Sequence, residues 1–206
     1  MAINRKFFFD QVRARLFDGR LKQAQVGGLT AILDRWEGTM PGGDDRWLAY
    51  MLATAHHETG RTMQAVRETF AATDDRAIAI LERSFAAGKL ARVKTPYWRR
   101  DAAGRSWLGR GLVQLTHRRN YEAMARETGI DLVARPDRAM EPGVAVAILF
   151  AGMIGGSFTG RRLADCFSPA KEDWKGARRI VNGLDRAELV AGYARAYYGA
   201  ISYTTE

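Results

Sequence analysis

Apolar side chains recur at three- and four-residue intervals along almost the whole chain, and glycines stop most of the runs. That period belongs to helices packed on one face, so the chain reads as mainly α. "RKFFFDQVRARLF" from Arg5 is the first such run. "QAQVGGLTAILDRWEG" puts Val26, Leu29, Ile32, Leu33 and Trp36 on one stripe, with Gly38 as its stop. A third helix is expected from about Asp45 to His57. A fourth, "DDRAIAILERSFAAG", has Thr73 as its cap and Gly88 at its end. "HRRNYEAMARETG" is expected to start at Thr116 and end at Gly129; "PGVAVAILFAGMIGG", "SPAKEDWKGARRIVNG" and "DRAELVAGYARAYYGAISY" complete the helical runs. Only residues 89–116, rich in glycine, basic and aromatic residues, break the pattern; they read as loops with a short strand or hairpin.

With 206 residues, 47% of them apolar, the chain has enough material for one domain with a real core. No repeat or low-complexity linker divides it. The expected organisation is a single domain in two lobes. The larger helical lobe takes about 1–70 and 117–206, and the smaller about 71–116, with no separate binding module. Cys166 is the lone cysteine, so no disulfide forms within the chain. The apolar run at Phe7–Phe9 is too short for an export signal and the one from Val144 too short to span a bilayer. The net charge of +9 favours polyanions: nucleic acid, anionic lipid or an acidic wall polymer.

Chemistry concentrates in three places. In "YMLATAHHETG", Trp47, Leu48, Met51, Leu52 and Ala55 form an apolar face that leads to Glu58, and Gly60 ends the helix. A carboxyl group that is partly buried at a helix C-terminus favours its neutral form, which suits a general acid. A glycosidase needs a second carboxylate. Glu68 and Glu82 are the candidates, with ion pairing of Glu68 to Arg67 and solvation of Glu82 on its helix as the plainer readings. Ten residues on one straight helix would hold Glu58 and Glu68 about 15 Å apart. Inverting hydrolysis uses about 6.5–9.5 Å, so the chain must turn at Gly60. The second place is "GRGLVQLTHRRNY", residues 109–121. Its glycines let backbone approach closely around Arg110, and Gln114, Thr116 and Asn120 are suited to orienting water or sugar hydroxyls. The third is "TPYWRRDAAGRSW", where Tyr97, Trp98 and Trp107 stand among arginines, a composition for sugar stacking or for single-stranded nucleic acid. His56, His57 and His117 have no metal-binding spacing, and no phosphate loop, dinucleotide fingerprint or serine elbow is present. Neither a metal nor a cofactor is expected.

Taken in order, "AHHETG", "GRGLVQLTHRRNY" and "RRIVNG" resemble the family-19 chitinases and their bacteriophage endolysin relatives. The family pattern is H-E-T, then G-R-G-x-x-Q-L-[ST] with an asparagine four residues on, then I-I-N-G. The similarity to the endolysin branch extends through "TMQAVRE", "VKTPYWRRD", "LADCF" and "ARRIVNGLDRAE". This resemblance implies a catalytic domain of lysozyme-like helical fold, with two lobes around a groove. It implies Glu58 as general acid and Thr116 as a holder of the nucleophilic water, with Gln114, Asn120 and Asn182 lining the groove; His57, Tyr97, Trp98 and Arg110 are the further residues expected to bind substrate. The glycine- and aromatic-rich loop that carries the chitinase base is not reproduced, and Glu68 is the candidate base in its place. The expected activity is cleavage of β-1,4 bonds in peptidoglycan leading to host cell lysis, with chitin hydrolysis or nucleic-acid binding as alternatives. A monomer is expected. It would accumulate in the host bacterial cytoplasm, reach the wall through a separately encoded holin, and touch anionic membrane through its C-terminal helix.

Overall fold

The computed structural model describes residues 2–91 and 93–204. It is mainly helical, as the periodicity requires. The chain runs α1 (Arg5–Leu16), α2 (Gln23–Thr39), α3 (Asp45–Glu58), β1 (Val66–Arg67), α4 (Asp74–Ala86) and β2 (Arg110–Gly111). It continues through α5 (Arg118–Thr128), α6 (Pro142–Gly155), β3 (Phe167–Ser168), β4 (Lys171–Glu172) and α7 (Ala187–Tyr198). No helix among the described residues is long and apolar enough to cross a membrane. Two compact units result: Met1–Gln64 with Leu149–Glu206, and Ala65–Ile148. The second extends beyond the expected 71–116 at both ends, because β1 pairs with β2 and a 3-10 turn at Pro136–Met140 packs on β2.

In the first unit α3 is the central helix. Every residue from Leu48 to His56 is buried, so this helix is covered on all sides rather than along one stripe. Asp44 caps its start by accepting from the Arg46 backbone N–H, and Gly60, at φ 55°, takes the chain out of it. α7 packs along α3, and α1 reaches α7 through the stacked rings of Phe8 and Tyr197, 6.3 Å apart. α2 also meets α3, and a methyl group on Gly28 would stand 1.8 Å from the Met63 carbonyl oxygen. α2 continues past the expected stop at Gly38 to Thr39. Residues 168–183 do not form the expected helix: they make the β3–β4 hairpin and a 3-10 turn at Gly176–Ile180. Arg46 pins that hairpin by donating to the carbonyls of Ser168 and Lys171, a contact that no local pattern shows.

The second unit gathers Ala71, Ala77, Leu81, Trp98 and Leu108 into its own core beneath α4. Thr73 caps α4 by accepting from the Arg76 N–H at 3.3 Å. After β2 the chain reverses at once. Arg110 and Leu115 exchange two backbone hydrogen bonds of 3.2 and 2.9 Å, with Gly111 at φ 89° and Gln114 at φ 54° in the turn. α5 then begins at Arg118, and His117 rather than Thr116 holds the cap position, at φ 65° and without a side-chain cap bond. Gly129 stops α5 as expected, in the left-handed conformation at φ 69°.

Candidate active site

In the first unit, Glu58 closes α3 with its side chain 15% exposed. Arg178, on the Gly176–Ile180 turn and only 2% exposed, donates from Nη1 to Glu58 Oε1 at 2.7 Å and from Nε to the Asp185 carbonyl at 3.1 Å. The expected setting of Glu58 was burial and a helix end alone; the structure adds a guanidinium. Arginine has donors and no acceptor, so Oε1 serves as the acceptor and Oε2 is the oxygen left for other partners. No described residue donates to Oε2. His57 is half-buried, and desolvation holds its imidazole below the usual histidine value despite the opposing charge of Glu58. Asn182 is exposed, with its Oδ1 turned back to accept from the Gly183 N–H at 2.8 Å.

In the second unit, Glu68 follows β1 and is held at both oxygens. The Tyr97 hydroxyl donates to Oε1 at 2.6 Å and the Gly109 N–H to Oε2 at 2.8 Å. The Glu68 N–H in turn donates to the Gly109 carbonyl at 2.7 Å. Arg67 does not pair with Glu68: its Nε donates to Asp74 and its Nη1 to the Ala72 carbonyl. A methyl group on Gly109 would lie 2.8 Å from Gln114 Oε1, 3.2 Å from Thr116 Cγ2 and 3.3 Å from Glu68 Cβ. A side chain at Gly109 would make Gln114 swing away and Thr116 and Glu68 give by a few tenths of an ångström, so the missing Cβ lets these three side chains converge. Gln114 is anchored by donating to the Val66 carbonyl at 2.9 Å, and Asn120 by donating to the Thr116 carbonyl at 2.8 Å. The Thr116 hydroxyl has no partner among the described residues and performs no capping. Gln114 and Thr116 do share one neighbourhood, but a tight turn brings them there rather than an extended strand.

Two expected substrate-binding residues are placed otherwise. Trp98 is fully buried, and its indole N–H donates to Glu82 Oε1 at 2.7 Å, so it has no face to offer a sugar. Arg110 is 1% exposed, ion-paired to Asp74 and bonded at 2.8 Å to the Tyr121 hydroxyl; it holds the second unit's core together. Glu82, the other candidate for the second carboxylate, is engaged by Arg99 and Trp98, which push its pKa down to about 2. Arg178 and the convergence on Gly109 are the features that sequence reading missed. With 32 lysines and arginines in the chain, no spacing singles out Arg178.

By its family, this mainly helical chain is a glycoside hydrolase. It belongs to the family described as chitinase class I, whose profile matches residues 40–153, more than half of the chain. That match takes in Glu58, Glu68 and the 109–120 segment, and ends before Arg178 and Asn182. No curated protein matches the chain. The architecture agrees with the lysozyme-like helical fold of that family, and the family assigns a glycosidase acting on chitin- or peptidoglycan-like polymers.

Proposed function

We propose that this glycosidase hydrolyses β-1,4 bonds of bacterial peptidoglycan, with Glu58 as general acid and Glu68 as general base. The observation that carries the reading is the contrast between the two carboxyl groups. Glu58 keeps Oε2 free of protein donors, so it can hold a proton and pass it to the glycosidic oxygen; the carboxylate left behind then faces Arg178 at 2.7 Å. Glu68 accepts at both oxygens, which fixes the carboxyl group in place to take a proton from water. Each of its oxygens retains a second lone pair for that water. The Thr116 hydroxyl, unoccupied and beside Gly109, is suited to orient it. Gln114 and Asn120, with His57 and Asn182, would bind the glycan.

Peptidoglycan is favoured over chitin by the net charge of +9, which suits a polymer bearing carboxylates, and by the resemblance to endolysins. The biological setting would be host cell lysis, with access to the wall through a separately encoded holin. A second reading, hydrolysis of chitin, has the family's own description in its favour. Turbidity clearing of purified cell walls tests the first. Glu58→Gln should clear about 10²–10⁴-fold more slowly than wild type, the usual worth of a general acid. Equal clearing by the two proteins would remove Glu58 from the reaction.

A further inference from the structure

Tyr97 belongs to an aromatic, basic segment suited to stacking on a sugar ring, yet its hydroxyl is already engaged and its half-buried ring already packs on two others. One side of the ring packs on His117, centroid to centroid at 4.3 Å, and Trp98 meets it edge-on at 5.1 Å and 80°. The hydroxyl donates to Glu68 Oε1 at 2.6 Å, within the range of bonds to ionised acceptors. Burial first, and then Glu68 itself, hold the phenol above its usual pKa, so Tyr97 stays a donor. His117, which backs the ring, is locked in turn: its backbone sits at φ 65° and its N–H donates to the Trp107 carbonyl at 3.0 Å. Seen from Glu68, the carboxylate is gripped at one oxygen by a rigid backbone amide and at the other by a phenol that two rings hold in place.

We infer that Tyr97 is a positioning residue for Glu68, fixing the rotamer of the carboxylate that accepts the proton from water, and not a sugar-stacking residue. The inference rests on the reading of Glu68 as general base. A glutamate with three rotatable bonds loses reach and aim when one of its two anchors is removed, and misplacement of a catalytic group acts on the transition state more than on substrate binding. A sugar platform would act in the opposite sense, since its loss weakens ground-state and transition-state binding alike.

The test compares wild type, Tyr97→Phe, Glu68→Gln and the double variant, with initial rates on solubilised peptidoglycan strands and on chitin hexasaccharide. Tyr97→Phe keeps the ring and its packing, so its melting temperature should stay within a few degrees of wild type. Its kcat should fall about 10–100-fold, the worth of one hydrogen bond to a charged group, with KM nearly unchanged. In the Glu68→Gln background the same substitution should cost little further, because the group it positions is gone. A raised KM with wild-type kcat would overturn the inference and return Tyr97 to sugar contact. Equal losses in both backgrounds would also overturn it, since a general packing defect does not depend on Glu68. Wild-type kcat in Glu68→Gln alone would instead sink the base assignment beneath it.

Discussion

Arg178 and His56 both flank the end of α3 in chemistry, and each has a consequence that can be measured. Arg178 is 2% exposed and donates to a Glu58 that is itself mostly buried. Removing the guanidinium takes away the donor to Glu58 Oε1 and leaves that buried oxygen without it. Arg178→Met should therefore lose about 1–3 kcal/mol of stability in urea titrations, besides any loss of activity. A change below about 1 kcal/mol would place this pair with solvent-screened surface bridges. His56 is 1% exposed, packs against Phe17, Tyr193 and Tyr197, and has its Nδ1 2.9 Å from the Tyr197 hydroxyl. Burial, with smaller contributions from Arg61 and His57, pushes its pKa down to about 4. The folded value lies below the unfolded one, so the unfolded chain binds the extra proton as pH falls. Stability is full above about 6.5, the unfolded value, and drains towards about pH 4, by on the order of 3 kcal/mol in all. Melting temperatures from pH 7 to pH 4.5 should show this slope, and His56→Phe should flatten it. An unchanged slope in the variant would assign the acid sensitivity elsewhere.

Within α2 two adjacent glycines make opposite predictions. Gly27 is exposed and a methyl group there meets nothing within 4 Å, so Gly27→Ala should stabilise by about 0.5–1 kcal/mol through helix propensity. Gly28→Ala drives a methyl group to 1.8 Å from the Met63 carbonyl oxygen, and should destabilise by about 1–3 kcal/mol or more as α2 is pushed away. Equal shifts in the two melting temperatures would contradict this packing. The same distinction between local and distant causes governs what the sequence made legible. The caps of α4 and α5, at Thr73 and Gly129, were readable because a hydroxyl or a missing Cβ acts on neighbouring backbone. The place of Glu58 at the end of a buried helix was readable because the apolar run that leads to it lies within its own helix. Residues 168–183 were misread because Arg46, more than a hundred residues earlier, supplies the donors that hold them in a hairpin. Trp98 and Tyr97 look alike in sequence, as aromatics among arginines. Their roles diverge only through distant partners, Glu82 for one and Glu68 for the other. Arg110 was legible as a residue between two close-packed glycines, but not as the buried partner of Asp74.

At the scale of the molecule, two compact units each carry one of the two carboxylates on a surround of its own. Glu58 is set by the α3 terminus and the Arg178 turn; Glu68 is set by β1, Gly109 and Tyr97. The family profile covers both carboxylates, so the glycosidase class rests on the region that holds them. The family alone leaves chitin- and peptidoglycan-like polymers both open; the proposal of an anionic wall draws on the net charge of +9 and on the resemblance to endolysins. Mass spectrometry of purified peptidoglycan after digestion tests the central claim most directly. The wild type should release glycan fragments with new reducing ends from β-1,4 cleavage, and Glu58→Gln should release almost none under the same conditions. Identical fragment yields from the two proteins, or intact glycan strands after wild-type digestion alongside cleaved chitin oligomers, would contradict it.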